Sequence, residues 1–430
     1  MGTSTSRPTR PRRARSRRSR TGCWRGSDMR QGITELIRAS LHGNVDIESS
    51  PTGLTPLRLP VSARARFDSD WMSVASAQAS GVRCEFRTAA TWIELTVQTT
   101  GLFLPWAPDE ERSAVFSATV DGRPVDDVRT TGGSRHYLGY PGGPRFETGE
   151  PAVVRFELGG AGGEARRVVV WLPQTDTVEI RDVRADAPLA PAESLEQLRW
   201  WHHGSSISHC IEATTPRGVW PVAAADRLGL DLTNLGFAAN AHLDPFTARA
   251  MRDSGADLFS LKIGINIVGG DTMKRRTFIP AVHGFLDTIR DGAPTTPILV
   301  ISPILCPMHE DTPGPTVTDP VTGERRGTPS TAPDLFEPPL TLRSVREILR
   351  EVVASRSVDD PAIVYLDGLE LFGPDDLAEL PDGLHPSPSG YLRIADRFAG
   401  SPAVASWIAR AQGSAASLPV VGSREVGAAR

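Results

Sequence analysis

The hydrophobic pattern of this chain changes period near residue 195, and that change limits the folds open to it. Over residues 50–190 apolar and polar side chains alternate in short runs. Gly81-Val82-Arg83-Cys84-Glu85-Phe86-Arg87-Thr88 is one and Thr91-Trp92-Ile93-Glu94-Leu95-Thr96-Val97 the next; residues 114–120, 153–158 and 167–172 repeat the pattern. Turn sequences such as Asp121-Gly122-Arg123-Pro124 separate them. A period of two sends successive side chains to opposite faces of a strand. Short strands at this spacing predict a jelly-roll-like β-sandwich over residues 45–192, closed by the Pro/Ala hinge at 187–192.

After residue 195 the apolar runs become continuous, and helical segments come between them. Ala256-Asp257-Leu258-Phe259-Ser260-Leu261, Pro297-Ile298-Leu299-Val300-Ile301-Ser302 and Ile363-Val364-Tyr365-Leu366 suit strands buried on both faces of a parallel sheet. Helical patterns fill residues 244–253, 272–290, 341–355 and 387–399, with Thr341 as an N-cap. The alternation predicts a doubly wound α/β domain over residues 195–415, with ligand chemistry at the carboxyl ends of its strands. Residues 306–340, rich in Pro, Thr and Gly, read as a lid, a binding loop, a disordered segment or a solvated connection, and are expected to wall the substrate site together with the β-sandwich. Residues 416–430 read as a flexible tail.

At 430 residues the chain is long enough for two cores. A formal net charge of -4 gives no overall electrostatic case for nucleic acid. No stretch has the apolar length of a membrane span, and no feature speaks to oligomeric state. Residues 1–30 carry the pairs Arg12-Arg13 and Arg17-Arg18. The next residues, Thr21-Gly22-Cys23-Trp24-Arg25-Gly26-Ser27-Asp28, lack the apolar run of an export signal. A disordered basic tail on a cytoplasmic protein is therefore expected. Met29 is an alternative start that would leave secretion open, and an intact mass lacking residues 1–28 would establish it. Cys23, Cys84, Cys210 and Cys306 are too widely spaced for a metal pattern and read as free thiols.

Four blocks carry the chemistry. Trp200-Trp201-His202-His203-Gly204-Ser205-Ser206-Ile207-Ser208 reads as an apolar strand ending in a tight turn that presents Ser206. A serine hydroxyl is a poor nucleophile until a base takes its proton. Asn234-Leu235-Gly236-Phe237-Ala238-Ala239-Asn240 and Gly264-Ile265-Asn266 supply backbone N–H groups and a side-chain amide, the donors that an oxyanion requires. In Asp382-Gly383-Leu384-His385-Pro386 the carboxylate precedes the imidazole by three residues, just ahead of a helix. It can curl back to Nδ1–H and fix the tautomer.

In this order the four blocks resemble the SGNH (GDSL-like) hydrolase superfamily, over roughly residues 195–410. The resemblance implies a flavodoxin-like three-layer sheet. It implies Ser206 as nucleophile, His385 as base and Asp382 as its orienting carboxylate. The oxyanion hole would be the N–H groups of Ser206 and Ala239 with the Asn266 amide. Gly236, Asn240, His242 and His309 are expected at the substrate, with Glu310 able to reach the pocket. Three positions depart from the family pattern: Ser205 in place of Asp, Ala239 in place of the second Gly, and Ile267 in place of the Asp after Asn266. The preceding strands look like the N-terminal jelly-roll of two-domain esterases, carbohydrate esterases included.

The expected activity is hydrolysis of a carboxylic ester, a short acyl group on a sugar or other polar alcohol, through an acyl-enzyme. No cofactor and no catalytic metal are expected. His202, His203 and His209 lack a ligand spacing and read as supporting residues; Trp200, Trp201 and Trp220 read as core. The alternatives are a lipase, thioesterase or acyltransferase of the same superfamily, or a carbohydrate-binding protein with a decayed hydrolase domain, which the three departures keep open.

Overall fold

The computed structural model describes Met1 and residues 26–67, 69–105, 113–160, 163–319, 324–328 and 338–416. Five parallel strands carry the four blocks: β1 (Arg199–Gly204), β2 (Asp231–Gly236), β3 (Leu258–Lys262), β4 (Ile298–Ile301) and β5 (Ile363–Leu366). Their order is β2-β1-β3-β4-β5. This is a doubly wound order, in which the chain reverses its direction of travel across the sheet beside the first strand. Gly204 pairs with both Gly236 and Lys262, Lys262 with Ile301, and Ile301 with Leu366. The five strands therefore end at one level, and the loops that leave them open on one rim.

Successive residues of β1 face opposite sides of the sheet, and helices cover both sides. Trp200 stacks on Phe398 at 5.2 Å and meets Trp220 and Trp407. These rings come from the helices Trp220–Leu228, Pro388–Gly400 and Pro402–Ala416. On the other face His203 stacks on Phe285 of the helix Arg275–Arg290. Trp200 and Trp220 are fully buried, as core aromatics. The expected third helix runs Leu342–Arg356, and Thr341 caps it by accepting the Ser344 N–H.

The N-terminal half forms two mainly antiparallel sheets. One runs in the order 41–42, 83–88, 166–171, 113–120, 123–131. The other runs 46–49, 54–57, 176–185, 92–103, 134–137, 145–147, with 152–157 also pairing on 92–103. Phe86, Phe116 and Val168 from the first share one apolar core with Leu95, Phe156 and Ile180 from the second. The strand pattern did not foretell three helical segments, Gly26–Ser40, Val61–Arg66 and Asp70–Ala77. The first begins inside the stretch expected to be a tail. The rest of that tail, Cys23 and the tail expected beyond residue 416 lie outside the described residues. Ala63, Met72 and Ala75 belong to the core of the parallel sheet, not to the core between the two antiparallel ones.

Arg58 joins the halves. It is fully buried, and its guanidinium donates to the carbonyls of Gln78 (2.5 Å), Asn234 (3.1 Å), Gly236 (2.5 Å) and Ala75. Two of those carbonyls lie in the N-terminal half and two on β2, at the start of the second block. Ser80 Oγ donates to the His209 carbonyl, Gln174 Nε2 to that of Ala213 and Arg83 to that of Leu232. Among the described residues no helix is long and apolar enough to cross a membrane.

Candidate active site

Ser206 opens a short helix, Ser206–His209, directly after β1. Ser205, where the family has Asp, is that helix's N-cap and accepts the Ile207 N–H at 3.3 Å. As the first helical residue, Ser206 has an N–H with no helical acceptor. Beneath the turn, buried His202 bridges Ser260 Oγ (2.7 Å) and Ser208 Oγ (2.8 Å). Burial holds its pKa well below the ordinary range, so the ring is a neutral strut.

The second block is tied down at nearly every residue. Asn234 Nδ2 donates to Ser80 Oγ (3.0 Å) and the Ser208 carbonyl (2.9 Å), and its Oδ1 accepts the Gly236 N–H (3.0 Å). Gly236 lies so close to the Ser208–His209 peptide that a Cβ would sit 2.5 Å from its atoms. That close approach explains the glycine better than the substrate contact expected of it. Trp71 Nε1 (2.8 Å) and Asn240 Nδ2 (2.6 Å) both donate to the Ala238 carbonyl. Asn240 thus fixes the loop where a substrate contact was expected. His209 Nδ1 accepts the Ala238 N–H (3.3 Å), while its Nε2–H donates to the Gln174 carbonyl (2.8 Å). These ties hold Ala239 at φ 60, a left-handed conformation that costs a non-glycine residue about 1 kcal/mol or more. His242, expected at the substrate, donates from Nε2 to the Ala239 carbonyl (3.0 Å), and its Nδ1 meets Thr272 Oγ1 (3.1 Å).

The third block turns sharply at Gly264, whose φ is 129; a Cβ there would lie 2.7 Å from both Pro303 and Val345. Asn266 comes next but one, in the helix Ile265–Gly269. Its Oδ1 accepts the Ala241 N–H at 3.0 Å, which leaves Nδ2 as a donor with no protein acceptor among the described residues. Ile267, where the family has Asp, is wholly buried.

The fourth block completes the arrangement. Asp382 Oδ1 accepts the N–H groups of Leu384 (2.9 Å) and His385 (2.7 Å), and Oδ2 accepts His385 Nδ1–H (2.8 Å). His385 Nε2 then accepts from Ser206 Oγ at 2.9 Å, across 179 positions of sequence. Burial disfavours the imidazolium. The Asp382 hydrogen bond and the charges of Glu212 and Asp382 outweigh it, so the His385 pKa lies above its ordinary 6.5. Burial also disfavours the Asp382 carboxylate, but the His385 contacts and the two backbone N–H groups hold its pKa well below the usual range.

The long loop behaves differently from expectation. His309 is buried and engaged within the loop, donating to the Thr312 carbonyl (3.2 Å) and meeting Thr316 Oγ1 (2.7 Å). Glu310 pairs with Arg346 and accepts the Cys306 N–H (3.1 Å). Neither is free to face the serine. Among the loop's described residues, Arg325 reaches the site, with Nη1 2.5 Å from Asp382 Oδ2. Sequence reasoning missed Arg325, and it missed Glu212, whose Oε1 stands 3.4 Å from His385 Nδ1 and whose Oε2 accepts the Tyr391 hydroxyl (2.7 Å). It also missed Trp71. Only Glu212, six positions past the serine, carried a local signal. Cys84, Cys210 and Cys306 are buried free thiols, and burial pushes Cys84 and Cys306 up to about 12. Among the described residues no group of three or more His, Cys, Asp and Glu could hold a metal ion.

No protein-family model and no curated protein matches this chain. Among solved structures it is similar to the salicylyl-acyltransferase SsfX3 from a tetracycline biosynthetic pathway, with a TM-score of 0.68 and 26% identity over 88% of this chain and 95% of that one. It is similar to a GDSL-like lipase from Bacteroides ovatus ATCC 8483, with a TM-score of 0.59 and 18% identity over 86% and 95% of the two chains. A family two carbohydrate esterase from Clostridium thermocellum, solved with cellohexaose, gives a TM-score of 0.53 and 15% identity over 84% and 97%. The resemblance read from the four blocks thus extends to the fold, and the likeness spans both halves of the chain.

Proposed function

We propose that this chain transfers acyl groups through a covalent acyl-serine, and that in the first reading the acceptor is water. The observation that carries the proposal is the continuous hydrogen-bonded series Ser206–His385–Asp382, at 2.9 and 2.8 Å, on the rim where the strands end. His385 Nε2 takes the Ser206 proton as Oγ attacks an ester carbonyl. The oxyanion is held by the Ser206 and Ala239 N–H groups and Asn266 Nδ2. Collapse expels the alcohol, which leaves with the proton from His385. Water, deprotonated by the same imidazole, then opens the acyl-serine and releases the acid. No step calls for a cofactor.

The three departures from the family pattern are accommodated by the fold. Ser205 caps a helix, Ile267 fills the core, and Ala239 is held in the left-handed conformation open to the glycine it replaces. That argues against a decayed enzyme kept only for binding. The substrate we infer is a short acyl ester of a sugar or other polar alcohol. Residues 45–192 are read as a sandwich domain that walls the alcohol side through Trp71, together with the 306–340 loop.

A second reading, transfer to an alcohol instead of water, is favoured by the 26% identity to an acyltransferase over most of both chains. Assay of p-nitrophenyl acetate, butyrate and laurate, with and without a polyol acceptor, separates the readings. Free acid from short esters supports the hydrolase, and acylated polyol in excess of free acid supports the transferase. A preference for laurate would favour a lipase. Absence of turnover, with no Ser206 adduct from an acyl phosphonate, would overturn the proposal.

A further inference from the structure

The Nδ1 side of His385 holds more charge than one orienting carboxylate requires. Asp382 is already fixed by three donors from its own turn, at 2.9, 2.7 and 2.8 Å. Yet Arg325 reaches it from a hairpin 57 positions earlier, and lands on Oδ2, the oxygen that accepts the imidazole N–H. That hairpin pairs Thr316–Thr318 with Arg325–Gly327. It is anchored by the contact of His309 with Thr316 and by the Thr328 N–H on the Pro315 carbonyl. The hairpin is thus built independently of the guanidinium, and the Asp382 turn is built without the hairpin.

The second charge is Glu212, from the turn just after the short helix that Ser206 opens. Tyr391, fully buried in the helix that follows His385, holds Glu212 Oε2 and leaves Oε1 facing Nδ1 at 3.4 Å. The two residues therefore bear on the Nδ1 edge of one imidazole with opposite charge, Glu212 directly and Arg325 through Asp382.

We propose that Arg325 and Glu212 are positioning residues of opposing sign that together set the basicity of His385, and so tie the long loop to the proton transfer at Ser206. This rests on the reading of His385 as the base. The groups facing the ring are Ser206 at Nε2, Asp382 and Glu212 at Nδ1, Arg325 across Asp382, and Tyr391 behind Glu212. The Cys306 thiol, bonded to the Gly383 carbonyl, is kept neutral by burial. Glu212 favours the protonated ring and Arg325 opposes it.

The test is the pH dependence of kcat/KM for a p-nitrophenyl ester in the full chain. Glu212→Gln should move the acid limb to lower pH and Arg325→Gln should move it to higher pH. On that limb, relative to each variant's plateau, the first should run about threefold faster than the parent and the second about threefold slower. Arg325→Lys should return the limb toward the parent, because it restores the charge. The same opposite displacements should appear in NMR titration of the His385 ring in Ser206→Ala protein, which needs no turnover. Limbs and ring titrations that do not move, or that move the same way in both variants, would overturn the inference while parental turnover keeps the esterase reading intact. A parent chain that neither turns over esters nor reacts with a phosphonate would instead overturn the reading on which it rests.

Discussion

The two sides of the serine are built from different materials. On the nucleophile side, the Ser206 turn and the loop from Asn234 to Ala241 are held by buried, neutral hydrogen bonds and by a glycine in backbone contact with the Ser206–His209 helix. Arg58, fully buried against carbonyl dipoles, adds a charge to that neutral network. On the base side, Asp382, Arg325 and Glu212 are charged, and their side chains are 37%, 29% and 36% exposed. Buried neutral contacts lose heavily when broken and respond little to pH or salt. Exposed charge pairs contribute little stability but set proton affinity. On the proposed function, one side is a fixed mould for the oxyanion and the other an adjustable proton store.

The comparison breaks most visibly at the reacting groups. Ser206→Ala or His385→Ala should each lower kcat by roughly 10,000-fold or more, and the double variant should be little worse than either, because the groups act as a unit. Multiplying losses would mean that they do not share a mechanism. Asn266→Ala should lower kcat by about 100- to 1000-fold with KM nearly unchanged, since the amide acts on charge formed only in the transition state. An effect on KM alone would make Asn266 a substrate contact.

Arg58→Met and Arg325→Ala sharpen the contrast in stability. The first strands four carbonyls in the interior and should cost about 3 kcal/mol or more, seen as a lowered Tm. The second removes an exposed partner and should leave thermal unfolding within about 1 kcal/mol of the parent. Equal losses would erase the distinction between the two sides.

His385 gives the distinction a pH signature. Only the neutral ring is a base, and its pKa lies above 6.5. Thus kcat/KM should fall as pH drops through that raised value, with the limb above pH 6.5. Stability moves the other way. The raised affinity favours folding below the unfolded pKa, about 6.5, and that contribution is lost as pH rises through the folded value. Thermal unfolding of parent and His385→Ala proteins across pH 5–9 would show it, and a parallel course for both would deny it. The smallest effect is expected at Ala239→Gly. Relief of the left-handed strain is offset by the entropy of glycine, so stability and kcat should both change little. A large loss of kcat would mean that the Ala239 methyl itself shapes the acyl pocket.

What could be read from the chain was what local pattern encodes. Continuous apolar runs marked β3 and β4, because a strand buried on both faces has no polar positions to spare; the same pattern found β5, although it is an edge strand whose Val364 and Tyr365 are only half-buried. The helix before residue 356 announced itself by its cap at Thr341. The four blocks were legible because each is a few residues around one strand end. What escaped was brought in from afar. Asp70–Ala77 hides among strands because only two turns of helix carry its buried Met72 and Ala75. Arg325 and Trp71 have no motif around them, and nothing local says that they meet Asp382 and the Ala238 carbonyl. His309 was expected at the substrate because a histidine in a long loop is chemically suggestive. Its neighbours Thr312 and Thr316 satisfy it instead.

The shared level of the strand ends has a consequence for how such a chain can change over generations. What the chemistry requires is the order in which the blocks leave the sheet and the rung from which each departs; Gly204, Gly236 and Lys262 already stand side by side. The number of residues between one departure and the next is unconstrained. Here the longest detour, residues 306–340, lies between the third block and the fourth, and His385 still closes on Ser206. The rim is thus free to acquire new loops, and new preferences with them, while the reacting atoms stay where the sheet puts them.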